Sequence, residues 1–242
     1  MNIIAFIPAR YESIRFPGKP LAPIAGKPMI QYVFQNALSC PEISDVYVVT
    51  DDERIFKCVH DFGGKAIMTN KNHPSGTDRI AEATRKMNLN RNYLIVNIQG
   101  DQPIFQPSSI TQMITPMIED QNIPMGTLKY RITDEKDVNN PNYVKVVTDR
   151  EGFALFFSRS PLPFFRDAGS QKVHYKHLGF YAYRYDFLQK FAGFPVGQLE
   201  SAEKLEQLRA LENGFKIKVI ETTFDSIEVD TPDDIKKIEE MI

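Results

Sequence analysis

Four short apolar or β-branched runs, Ile3–Ile7, Val46–Thr50, Lys65–Met68 and Leu94–Ile98, punctuate the N-terminal part of the chain, and none strictly alternates apolar with polar residues. Such runs suit parallel strands buried on both faces. Between them the apolar period becomes helical. Pro28 opens the first predicted helix, with Met29, Ile30, Val33, Phe34 and Ala37 recurring on one face; a first turn has no use for the N–H that Pro lacks. A second helix is predicted over 52–61, with Gly63 as its left-handed stop, and a third over 77–87. Strand and helix alternating in this way imply an α/β fold: a mainly parallel sheet flanked by helices, with ligands at the carboxyl ends of its strands.

The pattern changes after Met125. Gly126–Ile132, Tyr143–Thr148, Phe153–Ser158 and His177–Tyr183 read as strands, and Asp149-Arg150-Glu151-Gly152 as a hairpin turn. An antiparallel excursion over about 125–184 is expected on a single domain spanning 1–242. Its Phe153, Phe156, Phe157, Phe164 and Phe165 predict an exposed aromatic face that pairs with itself in a homodimer. Leu199–Asn213 is predicted as one helix, with Leu199, Ala202, Leu205, Leu208 and Leu211 on one stripe and Gly214 as its stop. Lys216–Glu221 and a helix after Thr231-Pro232 return to the first pattern.

Charge excludes one class of partner. With 29 Lys+Arg against 31 Asp+Glu, net −2, the chain lacks the basic excess of a nucleic-acid binder. Ile3–Ile7 is too short for a signal peptide or membrane span, so a cytoplasmic chain with no membrane partner is expected. Cys40 and Cys58 have no CxxC spacing and are read as reduced thiols. His174 and His177, three apart on a strand, would face opposite ways, which argues against a zinc pair.

About 20 residues separate the first strand from the first helix, against roughly 2–6 in an ordinary βα loop. The loop collects Arg10, Arg15 and Lys19 where a polyphosphate could take charge-assisted hydrogen bonds, although charges alone would equally fit a solvated loop stiffened by Pro. Gly18-Lys19 is followed by Pro20, and neither a P-loop nor a GxGxxG occurs. Asp101, directly after the Leu94–Ile98 strand, is a hard carboxylate suited to Mg²⁺ beside a phosphate, or simply a turn Asp next to Gly and Pro. Asp230 offers a second such carboxylate, or an ordinary N-cap before Pro232.

Taken in order, Pro8-Ala9-Arg10-Tyr11, Pro17-Gly18-Lys19-Pro20-Leu21, Ser75-Gly76-Thr77-Asp78-Arg79, Gln99-Gly100-Asp101, Phe157-Ser158-Arg159-Ser160-Pro161, His177-Leu178-Gly179-Phe180-Tyr181-Ala182-Tyr183, Leu205-Glu206-Gln207-Leu208-Arg209 and Val229-Asp230-Thr231-Pro232 resemble the 3-deoxy-manno-octulosonate (Kdo) cytidylyltransferase family over essentially the whole chain. The resemblance implies a nucleotidyltransferase sheet of the glycosyltransferase-A-like kind and the reaction CTP + Kdo → CMP-Kdo + pyrophosphate, in lipopolysaccharide inner-core synthesis. It implies Mg²⁺ on Asp101 and Asp230, with Arg10, Arg15 and Lys19 on the triphosphate; Arg10, Lys19, Asp101 and Asp230 form the catalytic set. Pro8 and Ala9 of the first loop, with Met68, Ser75, Gly76, Thr77, Asp78 and Arg79, would complete the CTP site. Gln99, Arg159, Arg166, His177, Tyr181 and Glu206 would receive the sugar acid.

One position departs from the pattern. The family more often carries Glu after the metal Asp, where this chain has Gln102, which keeps the shape and removes a charge. A relative acting on 8-amino-3,8-dideoxy-manno-octulosonate is similar in its Gly-Asp-Gln-Pro run and in a run like Ser226–Pro232. Kdo is the leading substrate and the 8-amino sugar the second. A nucleotide-binding module without transfer is the rival from another class, separated by pyrophosphate release.

Overall fold

The computed structural model describes residues 1–12, 16–167 and 172–241; Arg15 lies outside the described residues. The chain opens with β1 (Asn2–Ala9). The long loop that follows holds a single 3-10 turn at Lys19–Leu21 and a small pair of strands, β2 (Pro23–Ile24) and β3 (Lys27–Pro28), ahead of α1 (Met29–Leu38). Pro28 stands just before the helix, at its N-cap. Next come β4 (Asp45–Thr50), α2 (Glu53–Asp61), β5 (Ala66–Met68), α3 (Gly76–Lys86) and β6 (Tyr93–Asn97), the alternation expected from the apolar runs. β1 pairs in parallel with β4 and β6, and β4 with β5.

The remaining elements are α4 (Pro107–Glu119), β7 (Met125–Arg131), the short α5 (Glu135–Val138), β8 (Lys145–Thr148), β9 (Ala154–Ser158), β10 (Tyr175–Arg184), α6 (Tyr185–Ala192), α7 (Gln198–Glu203), α8 (Leu208–Glu212), β11 (Ile217–Thr222) and α9 (Pro232–Glu239). The sheet order is β11-β7-β10-β6-β1-β4-β5, with β8 and β9 attached beside β10. β10 runs antiparallel to β6 and β7, while β11 runs parallel to β7. Every other strand on this path therefore points the same way. β7 and β10 lie inside the central sheet, the β8–β9 hairpin joins it as a branch through β10, and β2 and β3 form a separate pair; Gly152 adopts φ +80° in the hairpin turn.

Alternation along each strand explains the continuous apolar runs. Ile3, Ala5 and Ile7 pack with α1, α2 and α4 on one face of the sheet, while Ile4 and Phe6 pack with α3, α6 and α8 on the other. Each fully buried Phe or Ile there contributes about 1.5–3 kcal/mol. Cys40 is buried in the first of these cores, and desolvation pushes its thiol up to about 12. Among the described residues, no helix is long and apolar enough to cross a membrane.

Two expectations need correction. The predicted helix over 199–213 is two helices, α7 and α8, broken where Lys204 takes a left-handed φ of 54°. An unbroken helix would hold residues 200 and 209 about 13.5 Å apart along its axis. The break folds α8 back, so that Arg209 donates to both oxygens of Glu200 at 2.7 and 2.5 Å in a buried pair, and Leu199 is left exposed. The expected aromatic face is also mostly absent. Phe157 is fully buried by the β9 alternation, Phe153, Phe156 and Phe165 are half-buried, and Phe164 alone of the five is exposed, at 88%.

Candidate active site

The carboxyl end of β1 runs directly into the floor of a cavity of about 290 Å³. Pro8, Ala9 and Arg10 form one side, Lys19 another, Ser75, Gly76 and Arg79 a third, and Gln99, Gly100 and Asp101 close it after β6. Glycine is required where these segments meet. A Cβ on Gly100 would sit 2.8 Å from the Pro8 carbonyl oxygen, and one on Gly76 would come 3.0 Å from the Pro8 ring.

The first turn of α3 borders this cavity. Ser75 caps the helix, its Oγ accepting from the Asp78 N–H at 3.1 Å and donating to Asp78 Oδ2 at 2.7 Å. A helix N-terminus there adds partial positive charge to that of Arg10 and Lys19. Buried Arg79 donates to Thr69 Oγ1 at 2.6 Å and faces Asp51 at 3.3 Å. Met68, Thr77 and Asp78 stand just behind the wall: Thr77 Oγ1 donates to Glu206, and the Met68 carbonyl accepts from Lys86. Glu82 draws the 70–73 loop inward by accepting from the Asn70 N–H and pairing with His73 and Lys86. Burial alone would push Glu82 up, but these hydrogen bonds hold it down at about 2.

Lys19 joins segments far apart in the chain. Its Nζ donates to Asp101 Oδ2 at 2.7 Å and to the Val229 carbonyl at 2.8 Å, while the Val229 N–H donates to the Asp101 carbonyl at 2.9 Å. These bonds bring the 228–231 segment beside Asp101. Asp101 and Asp230 both line a second cavity, of about 790 Å³, so Asp101 belongs to the walls of both.

Glu228 shares that second cavity and was not singled out in the sequence. Desolvation pushes its carboxyl above the ordinary carboxylate value, and the charges of Asp101 and Asp230 push it further. Three carboxylates are thus close enough to feel one another. Gln102, fully buried, donates from Nε2 to Glu228 Oε1 at 2.7 Å. The signal for Glu228 was its position two residues before Asp230 in extended chain, which puts both on one side.

The expected sugar residues divide. Arg159 and His177 line the second cavity, and Gln99 lines the first while donating to the Gly179 carbonyl at 3.2 Å. Arg159 is anchored by donating to the carbonyls of Glu203 at 2.7 Å and Pro141 at 2.9 Å. His177 packs against the rings of Phe157 and Tyr181, with centroids 5.2 and 5.3 Å away. Thr127 donates its hydroxyl hydrogen to the Phe180 carbonyl at 2.7 Å, so it accepts from His177 Nε2 at 2.9 Å. Desolvation lowers His177 to about 3, and it is neutral at pH 7.

Tyr181 is buried behind His177 and lines neither cavity. Glu206 is pushed up by burial; its Oε2 accepts from Thr77 at 2.7 Å, and its Oε1, 3.7 Å from Arg209, has no hydrogen-bond partner among the described residues. Arg166 is exposed and lines neither cavity. Lys176 and Asp225, paired at 2.7 Å, line the second cavity and were missed because 49 residues separate them.

Residues 4–220 match a family model described as cytidylyltransferase. The 3-deoxy-manno-octulosonate cytidylyltransferase of Geobacter sulfurreducens is 52% identical over 252 residues, covering 100% of both chains. An 8-amino-3,8-dideoxy-manno-octulosonate cytidylyltransferase of Shewanella sp. (strain ANA-3) is 51% identical over 243 residues, covering 100% of this chain and 99% of its own. A solved CMP-2-keto-3-deoxy-manno-octonic acid synthetase complexed with CTP matches with TM-score 0.94 at 41% identity, over 100% of this chain and 98% of that one. A cytidylyltransferase from Leptospira borgpetersenii, at 16% identity and TM-score 0.65, shares the fold alone. Identity at this level, from end to end and on the same sheet, shows that the chain belongs to the cytidylyltransferase family, alongside relatives named for 3-deoxy-manno-octulosonate and for its 8-amino counterpart.

Proposed function

We propose that the chain transfers the cytidylyl group of CTP to Kdo and releases pyrophosphate. One observation carries this reading: Asp101 is common to a small cavity rimmed by Arg10, Lys19 and the head of α3, and to a larger polar cavity with Arg159 and His177. The first suits a triphosphate, the second a hydroxyl-rich acid, and the reacting atoms then meet at Asp101.

In this reading Arg10 and Lys19 bind the phosphates and stabilise the charge that develops on the leaving pyrophosphate. Ser75 and Gly76 present the first turn of α3 to the nucleotide. The anomeric oxygen of Kdo forms a bond to the α-phosphorus, the bond to the β-phosphate oxygen breaks, and the hydroxyl proton passes to solvent. Alignment of donor and acceptor on either side of Asp101 is the chain's main contribution.

Asp101 and Asp230 suit Mg²⁺ as hard oxygen donors held near each other by the Lys19 and Val229 bonds. Among the described residues, no group of three or more His, Cys, Asp or Glu is placed to hold a metal. That fits an ion that takes one or two carboxylates and completes its shell with phosphate and water. When bound, Mg²⁺ would neutralise phosphate charge and lower the pKa of a neighbouring hydroxyl.

A second reading, the same transfer to the 8-amino sugar, is favoured by the Shewanella relative, nearly as similar as those named for Kdo. A cytoplasmic homodimer belongs to the proposal, supported by the exposed Leu155 and Phe164 in and after the β8–β9 hairpin. The test is pyrophosphate release from CTP, Mg²⁺ and Kdo. Binding of CTP with no pyrophosphate would leave a nucleotide-binding module and sink the transfer.

A further inference from the structure

Two kinds of charged group line the larger cavity: the carboxylates Asp101, Glu228 and Asp230, and the ion pair of Lys176 with Asp225. Lys176 lies on β10 three residues before Gly179, whose carbonyl is bonded to Gln99, so strand spacing sets it about 10 Å along the strand from that bond. That is the scale of an eight-carbon sugar acid. The Lys176 ammonium is held firmly in place. Its Nζ donates to Asp225 Oδ2 at 2.7 Å and lies 4.4 Å from the Tyr143 ring centroid and 5.5 Å from that of Tyr130. The Lys176 side chain is 11% exposed and that of Asp225 38%, so the carboxylate presents more of its surface than the ammonium.

We propose that Lys176 and Asp225 form the subsite for the end of the sugar acid remote from its anomeric carbon, and that they select a neutral hydroxyl there over an ammonium. The inference rests on the transfer reading above and names the chemistry of its acceptor. A hydroxyl both donates and accepts, so it can accept from Lys176 Nζ while donating to Asp225. An ammonium could donate to Asp225 but has nothing with which to accept from Lys176 Nζ, and it would stand beside that fixed positive charge inside a cavity that screens the repulsion less than bulk water does. Lys176 cannot readily swing aside, because Asp225 and two aromatic faces hold it.

The experiment compares pyrophosphate release from CTP and Mg²⁺ with Kdo and with its 8-amino analogue, for the wild type, Lys176→Met and Asp225→Asn. The wild type is expected to favour Kdo by about tenfold or more in kcat/KM, and Lys176→Met to reduce that ratio by about tenfold, the size of one lost charge-assisted hydrogen bond. Asp225→Asn should move the ratio the opposite way, since it leaves the Lys176 charge uncompensated. A merely structural role would change both sugars together and leave the ratio still. Preference of the wild type for the amino sugar, or turnover with the ratio unmoved in both variants, would overturn the subsite alone. Failure of the wild type to release pyrophosphate from either sugar while CTP binds would overturn the transfer and the subsite together. Should Lys176→Met fail to fold, judged by its melting temperature and KM for CTP, Asp225→Asn decides by itself.

Discussion

Acidification should destabilise the protein through His177, by an amount that follows from its surroundings. The ring is packed between Phe157 and Tyr181 and its Nε2–H is taken by Thr127, so a second proton would charge a desolvated imidazole. Desolvation lowers it from its ordinary 6.5 to about 3. Between those values the unfolded chain binds the proton and the folded chain does not. Stability is therefore complete above pH 6.5 and is lost as pH falls toward 3. From pH 7 to pH 5 the loss integrates to about 2 kcal/mol. In a chain of this size that corresponds to roughly 4–8 °C in Tm. Urea unfolding at both pH values, for the wild type and His177→Gln, isolates the effect, since the two proteins differ at that ring alone. The wild type should lose about 2 kcal/mol more than the variant. Equal losses, or a directly titrated His177 near 6.5, would show that the rings of Phe157 and Tyr181 do not desolvate the imidazole.

Three further outcomes test the site and the fold. Asp101→Asn keeps shape and removes charge, so kcat should fall about 10²–10³-fold with an unchanged circular dichroism spectrum; a near-normal rate would remove Asp101 from the chemistry. Lys19→Met loses bonds to Asp101 and Val229 and should cost about 1.5–3 kcal/mol in stability as well as raising KM for CTP; an unchanged Tm in thermal melts would mean that Lys19 does not tie these segments together. Lys204→Gly relieves a left-handed backbone at φ 54° and should gain up to about 1 kcal/mol in urea unfolding; a loss would mean that the lysine side chain matters more than its backbone strain.

Local features were legible wherever one segment carried the whole signal. The runs ending at Ile7, Thr50 and Ile98 suit buried strands by their own composition, and Gly63 reads as a helix stop from turn chemistry. Helix α4 is equally readable, since Ile110, Met113, Ile114 and Met117 recur at helical spacing. What could not be read was set by distant partners. The break at Lys204 is decided by the Glu200–Arg209 pair and by Glu203, which accepts from Ser158 and from the Arg159 N–H. Periodicity over 199–213 sees none of these. The reversal of β10 between β6 and β7 likewise depends on sheet order, which no single run encodes.

The departure at Gln102 acquires a reason through a partner 126 residues away, and the reason can be tested. Gln102 is wholly buried and its amide donates to Glu228, whose carboxyl already feels Asp101 and Asp230. A glutamate at 102 would set a fourth carboxylate against this group, replacing a donor by an acceptor at 2.7 Å from Glu228 Oε1. Two carboxylates at that distance cannot both ionise, so one would hold a proton or the side chains would part. Gln102→Glu alone should therefore cost about 1–3 kcal/mol, the usual loss when a buried polar group forfeits its partner. Adding Glu228→Gln restores one donor and one acceptor in the reverse order, so the double variant should recover most of the loss, with a coupling of about 1–3 kcal/mol. Urea unfolding of the two single variants and the double variant gives the cycle directly. If the losses simply add, residues 102 and 228 do not act as a matched pair, and the change from Glu to Gln needs a cause other than Glu228.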